Sequence, residues 1–450
     1  MQINLCICAF FYNFVPQMRN LFIILFLMLA CCANCAQHLT GAIDPNVRTL
    51  RVQYLSEALE PSGNIVRPYL VLDESGVIDG TDEENTLEIS FDYLSHDIQQ
   101  YTYRVLHCNR DWQESGISSY EYVDGFTTAD ITDYERSVNT QQEYTHYSLV
   151  FPNADMQIKA SGNYRLQIYQ DGDLEKVVAE VCLQVVEPLV RIDVQVRHNT
   201  DIELSGRYHQ LDIDVHIDKL AQKDANNISL LVQQNGRVDN QQYINKPTFV
   251  EPHRLRYVNN KMLIFEAGNE FRRFDTYSTY YAGYHVSRIA YQQGDYHAVL
   301  EDDQVRGTVA TGAGREGLGY LSDMDSDGQW VVNCEKTDYP DTDAEYMWVH
   351  FCLPVKQPIL SPVFVGGDLF YNNYTANNMM QYDAENKCYY LYAYLKQGGY
   401  NYMYYTLDNK KMSLLPLEGS HWQTRNEYTV WAYYRPFGAR YDRLVGVLRR

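Results

Sequence analysis

The chain has 450 residues, too many for one ordinary core and enough for about two to four domains. A hydrophobic content of 45% against 21% charged residues marks a globular chain and excludes a disordered one. The formal net charge of −21 repels phosphate backbones and anionic lipid, which excludes nucleic acid as a partner.

Forty tyrosines, against 16 Phe and 5 Trp, suit pleated and half-buried surfaces, so a mainly β protein is expected. The first segment is a leader. From Met18 the sequence reads "MRNLFIILFLMLACCANCAQ": Arg19, an apolar run from Leu21 to Ala30, then small residues ending near Ala36. That is the layout of a secretory signal peptide, and the run is too short to span a bilayer. Cleavage near Ala36 and a true start at Met18 are expected. "LACC" fits a lipoprotein signal poorly. Cys6, Cys8, Cys31, Cys32 and Cys35 leave with the leader. Cys108, Cys182, Cys334, Cys352 and Cys388 remain, an odd number, far apart and without a C-x-x-C pair. Buried free thiols are therefore expected, with neither a disulfide framework nor a structural zinc site.

Strand patterns follow in chain order. "TLEISFDYL" (Thr86 to Leu94) alternates, and "HCNRDW" (His107 to Trp112) crowds His, Cys, Arg and Asp into six residues. Alternate members of such a run face opposite sides of a sheet, so the cluster reads as a strand end and not as a catalytic site. In "EYTHYSLVF", Tyr144 and His146 share one face while Thr145 and Tyr147 share the other. No carboxylate close in sequence orients His146, which reads as a hydrogen-bonded strand histidine. "NYRLQIYQ" (Asn163 to Gln170), "VRIDVQV" (Val190 to Val196), "LDIDVHID" (Leu211 to Asp218) and "GYNYMYYTL" (Gly399 to Leu407) continue the period-two pattern. Turn signals separate these runs at Asp171 to Asp173, Gln234 to Arg237, Asp325 to Gly328 and Gln397 to Gly399. Helical periodicity is confined to a turn or two at Ile217 to Gln222.

Two seams divide the chain. "VVEPLV" (Val185 to Val190) puts a proline between strand patterns, and "KTDYPDTDAEY" (Lys336 to Tyr346) is an acidic lead into "MWVHFCL". The expected layout is a leader over 1–36 and three consecutive β-sandwich domains of immunoglobulin-like or early-set type at 37–187, 188–341 and 342–450.

Chemistry-bearing motifs are weak. "GAGREG" (Gly312 to Gly317) has dinucleotide-site spacing, but no helix opens on it to hold a pyrophosphate. Asp323, Asp325, Asp327 and Gly328 are spaced as in a calcium loop, yet the twelfth position is Cys334. An acidic turn is the better reading. There is no G-x-S-x-G, no H-E-x-x-H and no carboxylate pair that spacing selects. No catalytic residue, cofactor or metal is expected.

A resemblance adds to this reading. "HCNRDW", "EYVDGF", "ITDYERSVNTQQEYTHYSLVFPN", "SGNYRLQIYQDGD", "LLVQQNGRVDN", "KPTFV", "FEAGNEFRRFD" and "YYRPFGARYDRLVG" occur in this order. Together they resemble the DUF5103 family of Bacteroidetes, the plug protein of the type IX secretion system, from about residue 45 to the carboxy terminus. The resemblance implies a non-enzymatic periplasmic protein built of β-sandwiches. Its implied partner is the large outer-membrane translocon barrel, closed from the periplasmic side when no cargo passes. No direct membrane span is implied.

The last domain also resembles the early-set sandwiches of glycogen- and starch-binding modules. Tyr374 stands where those carry a Trp, and a secreted glycan-binding protein is the alternative function. The stripe of Tyr400, Tyr402 and Tyr404 reads as core. Arg435, Phe437, Arg440, Tyr441 and Arg443, with Arg449 and Arg450 behind them, form a basic and aromatic tail on an acidic protein. These five are the candidate partner-binding residues, unless the arginines pair with the chain's own carboxylates.

Overall fold

Alternating sequence becomes half-buried strand wherever one face has a core to cover. The computed structural model describes residues 40–56, 66–204, 206–220, 226–307, 319–408 and 410–450. In the strand Arg191–Arg197, Ile192 and Val194 are buried while Arg191, Asp193 and Gln195 face water. Where both faces are covered, burial is continuous, as in Gly162–Gln170, in which only Gln170 escapes it. The architecture is mainly β, a set of largely antiparallel sheets packed as sandwiches. Ser119–Tyr122 and Pro340–Asp343 are single helical turns. Residues 217–220 form only a turn, closed by Leu220 N donating to Ile217 O at 2.9 Å. Among the described residues no helix is long and apolar enough to cross a membrane.

Among the described residues, three large hydrophobic cores organise the sheets. The first takes its residues from Val47 to Val185. One sheet orders Gly41–Ala42, Val177–Val186, Gly162–Gln170, Tyr101–Cys108 and Thr128–Ile131; the other orders Val47–Tyr54, Leu87–Tyr93, Thr145–Phe151 and Asp133–Arg136. The second core joins residues 192–265 to residues 428–445. Its sheets are built on Arg191–Arg197 with Tyr208–His216, and on Ile228–Gln234 with Tyr428–Tyr434 and Arg443–Arg449. The third core lies between, over residues 274–417. There Gly398–Asp408 packs its sheet on one containing Asp295–Leu300, Tyr346–Pro354 and Cys388–Lys396.

Strand pairing therefore runs across the seam expected at 341/342. Ile228–Gln234 pairs along its whole length with Tyr428–Tyr434, with Leu231 opposite Trp431, so the carboxy-terminal strands complete the second core. The acidic stretch at that seam is a strap on the first core. Asp341 accepts from Arg51 Nη2 at 2.8 Å, and Glu345 accepts from the amides of Gln141 and Gln142 at 2.7 and 3.1 Å. At the other seam, Glu187 N and Leu189 N donate to Leu444 O and Val445 O at 2.8 and 2.9 Å. Pro188, which has no N–H, falls between two residues that continue the pairing.

Between the first and third cores lies a buried ion pair. Lys396 Nζ donates to Asp92 Oδ2 at 2.7 Å, and both side chains are fully shielded from water. The ammonium also donates to Asp341 O at 2.7 Å and sits 4.1 Å from the Tyr144 ring centre. Asp92 additionally accepts from Tyr346 OH and His146 Nδ1, each at 2.7 Å. Burial pushes the Asp92 carboxyl up, but the Lys396 ammonium and His146 outweigh it and hold it below its usual value.

Replacing Lys396 by Met leaves this carboxylate buried and unpaired. K396M is expected to lose about 3–5 kcal/mol of stability in denaturant titration, and adding D92N is expected to restore much of the loss.

Candidate functional site

The carboxy-terminal hairpin carries the residues singled out from sequence. Strands Tyr428–Tyr434 and Arg443–Arg449 hold a connection at 435–442, turned by Gly438 at φ +84° and closed by Ala439 N on Pro436 O at 3.0 Å. The arginines of this connection have partners within the chain. Arg435 Nη1 lies 3.4 Å from Asp442 Oδ1, and Arg440 bonds Glu121. Arg443 reaches Glu187 Oε2 through Nε at 3.0 Å and Nη2 at 2.5 Å, a forked pair. Tyr441 packs edge-on against His107 with ring centres 5.0 Å apart. Behind them, Arg449 Nε is 3.4 Å from Glu427 Oε2, and Arg450 donates to Val194 O. Phe437 alone of the five is fully exposed, at 104% of its reference area. Tyr120, 78% exposed, adjoins the Glu121 that Arg440 grips. The basic patch is thus largely neutralised, and what the hairpin presents is an aromatic tip.

The "HCNRDW" cluster supports that hairpin. His107 ends a strand, with Ser115 Oγ 2.7 Å from Nδ1 and Ser161 O 3.2 Å from Nε2; burial pushes its pKa down to about 4, which keeps the ring neutral. Arg110 crosses to the second core, donating to Ser229 Oγ at 2.6 Å and Asn245 Oδ1 at 3.0 Å. Asp442 accepts from Arg110 N, and its own amide donates to Asn109 Oδ1, both at 3.1 Å. These residues fasten two cores together and converge on no open site. His146 is likewise occupied, on an Asp92 brought opposite it by strand register.

The third junction is an arginine among acids. Arg67 donates to Asp368 Oδ2 at 2.8 Å, Asp327 O at 2.7 Å and Glu427 Oε1 at 3.1 Å, touching groups from two other parts of the chain at once. The calcium-like loop belongs to this junction. Asp323 Oδ1 is 3.3 Å from Arg273, Asp325 accepts from the amides of Phe271 and Asp327, and Asp327 accepts from Glu427 N at 3.3 Å. The three carboxylates turn to different partners. Among the described residues no group of three His, Cys, Asp or Glu is placed to hold a metal ion. "GAGREG" lies outside the described residues.

Two further features were read from the sequence. Tyr400, Tyr402 and Tyr404 are buried, and the hydroxyls of Tyr402 and Tyr404 donate to Asp303 at 2.6 and 2.7 Å. Tyr374 is half-buried and packs on Phe364 and Tyr405, with ring centres 5.8 and 5.2 Å away. Sequence reading missed a cavity of about 290 Å³ lined by His198, His209, Trp422, Arg425, Tyr428 and Arg450, whose members come from distant segments. Both nitrogens of His209 are engaged there, with Tyr428 OH at 3.0 Å and Trp422 O at 2.9 Å.

Part of the chain matches a known family model. Residues 74–187 match the family model described as Type 9 secretion system plug protein 1st domain. No curated protein matches. Among solved structures, a hypothetical protein from Parabacteroides merdae ATCC 43184 is 33% identical with a TM-score of 0.83, over 92% of this chain and 99% of that one.

The Asp325–Asp327 loop makes a pH prediction. Burial, then Asp325 and Glu427, push the Asp327 carboxyl up to about 7, and burial pushes Asp325 up to about 6. With folded values above the unfolded one, the native chain binds more protons, so this contribution to stability falls as pH rises from about 4 to about 7. D327N is expected to raise the melting temperature over wild type, by an amount that grows across that window and is level above it.

Proposed function

We propose that this chain, which belongs to the family of the Parabacteroides merdae protein and carries a type 9 secretion system plug 1st domain, is a non-enzymatic plug subunit of that system. It rests in the periplasm against the large outer-membrane translocon barrel and closes the barrel's periplasmic side when no cargo passes. The leader before Ala36 brings it there and is removed. Its three cores are three sandwich domains, the last strands returning to complete the second.

The observation that carries this reading is the family match over residues 74–187, set in a chain whose core junctions are closed by internal ion pairs. A plug needs stiffness and a docking point, not a reactive centre. Packed interiors resist compression, and the buried pairs at the core junctions resist hinge motion. Arg435, Arg440 and Arg443 are held by Asp442, Glu121 and Glu187, so they brace a hairpin whose Phe437 and neighbouring Tyr120 face outward as aromatic anchors.

A photo-crosslinking amino acid at position 437 is expected to capture the barrel in native membranes, while the same group at exposed Met262 captures nothing. Capture at both positions or at neither would overturn the docking assignment. F437S, at a fully exposed site, is expected to leave unfolding within about 0.5 kcal/mol of wild type. It is expected to weaken barrel binding by about 2 kcal/mol or more in a titration with the purified barrel.

A further inference from the structure

Five cysteines are described, all as free thiols, and the fold brings one pair of them together. Cys352 lies on Tyr346–Pro354 and Cys388 begins Cys388–Lys396, and these strands run antiparallel with Cys352 opposite Tyr390 and Pro354 opposite Cys388. Phe351, Leu353 and Tyr389 turn into the third core and are buried. Strand alternation therefore sends Cys352 and Cys388 off the same outer face, one diagonal step apart. The Cys352 thiol is within hydrogen-bonding reach of Cys388 and of Asp302. Both cysteines are half-buried, whereas Cys108 and Cys334 are buried.

We propose that Cys352 and Cys388 are a redox modification site, closing to a cross-strand disulfide when the chain meets a disulfide acceptor. Diagonal neighbours on one face stand about 7–8 Å apart at Cα, just beyond the usual span of a disulfide, so closure draws the two strands slightly together. Burial, together with Asp302 and Cys388, raises the Cys352 thiol's pKa, so Cys352 holds its proton and acts second. The Cys388 thiolate attacks one sulfur of the acceptor; the acceptor's S–S bond breaks and one thiol leaves with a proton. Cys352 then gives up its proton and attacks Cys388 sulfur, forming the internal S–S bond and expelling the second thiol. Two thiols are oxidised and the acceptor is reduced to two thiols, which balances two electrons and two protons. The bond staples the ends of the connection between the two strands, which carries the fully exposed Leu360. This inference rests on strand register and is independent of the plug reading.

The test uses the full chain, reduced, desalted and treated with oxidised glutathione, read by intact mass and by peptide mapping. The expected result is a loss of about 2 Da with a peptide linking Cys352 to Cys388. C352S and C388S should each abolish it, while a chain with serine at positions 108, 182 and 334 should keep it. The oxidised wild type should melt higher than the reduced form, and oxidant should not raise the melting point of C352S. A folded chain that keeps its full mass, or that carries a glutathione adduct which never resolves, would overturn the proposal. So would the same mass loss in C352S.

Discussion

Two opposite charges without water, Asp92 and Lys396, tie the first core to the third, and the geometry of that junction depends on their contact. A buried pair is a poor source of net stability, because desolvation offsets most of the attraction. It is a strict specifier of geometry, since any displacement leaves a carboxylate or an ammonium unpaired in a dry interface. Tyr346, Tyr144 and His146 complete the shell around it and draw on both cores. The strap at Asp341 and Glu345 makes the same join from the backbone side.

The other junctions repeat the principle with arginine. Arg67 reaches Asp368, Glu427 and the Asp327 carbonyl, and Arg110 reaches Ser229 and Asn245. Guanidinium suits this work because its fixed fork of donors can satisfy several acceptors at once without losing its charge. Histidines and carboxylates that resemble catalytic components in the sequence are consumed by these joints. His107 and His146 each face partners within the chain. A reader of surface chemistry is left with the aromatic tip at Phe437, an edge-lying cavity near Trp422 and the outward thiols of the third core.

Strand content was legible because period two is a local property. "VRIDVQV" shows its buried and exposed faces residue by residue. Pairings between distant segments left no such trace. Nothing in "LLVQQNGR" announces that "YTVWAYY" will lie beside it nearly 200 residues later, so the return of the last strands to the second core was invisible. The same holds for His146, whose carboxylate lies 54 residues away and is delivered by register. Cysteine spacing leaves no trace of pairing either: Cys352 and Cys388, 36 positions apart, lie on paired strands. The tail arginines looked available because their partners, Glu121 and Glu187, are supplied by a different core.

The proposed plug would act by standing in the way, with the exposed Phe437 as its docking tip. The most direct measurement is ionic current through the purified type 9 translocon barrel in a planar bilayer, before and after adding this chain from the periplasmic side. Occlusion predicts that the current falls close to that of a bare bilayer and returns when the chain is washed out. A barrel that binds the chain and still conducts at its original level would contradict it.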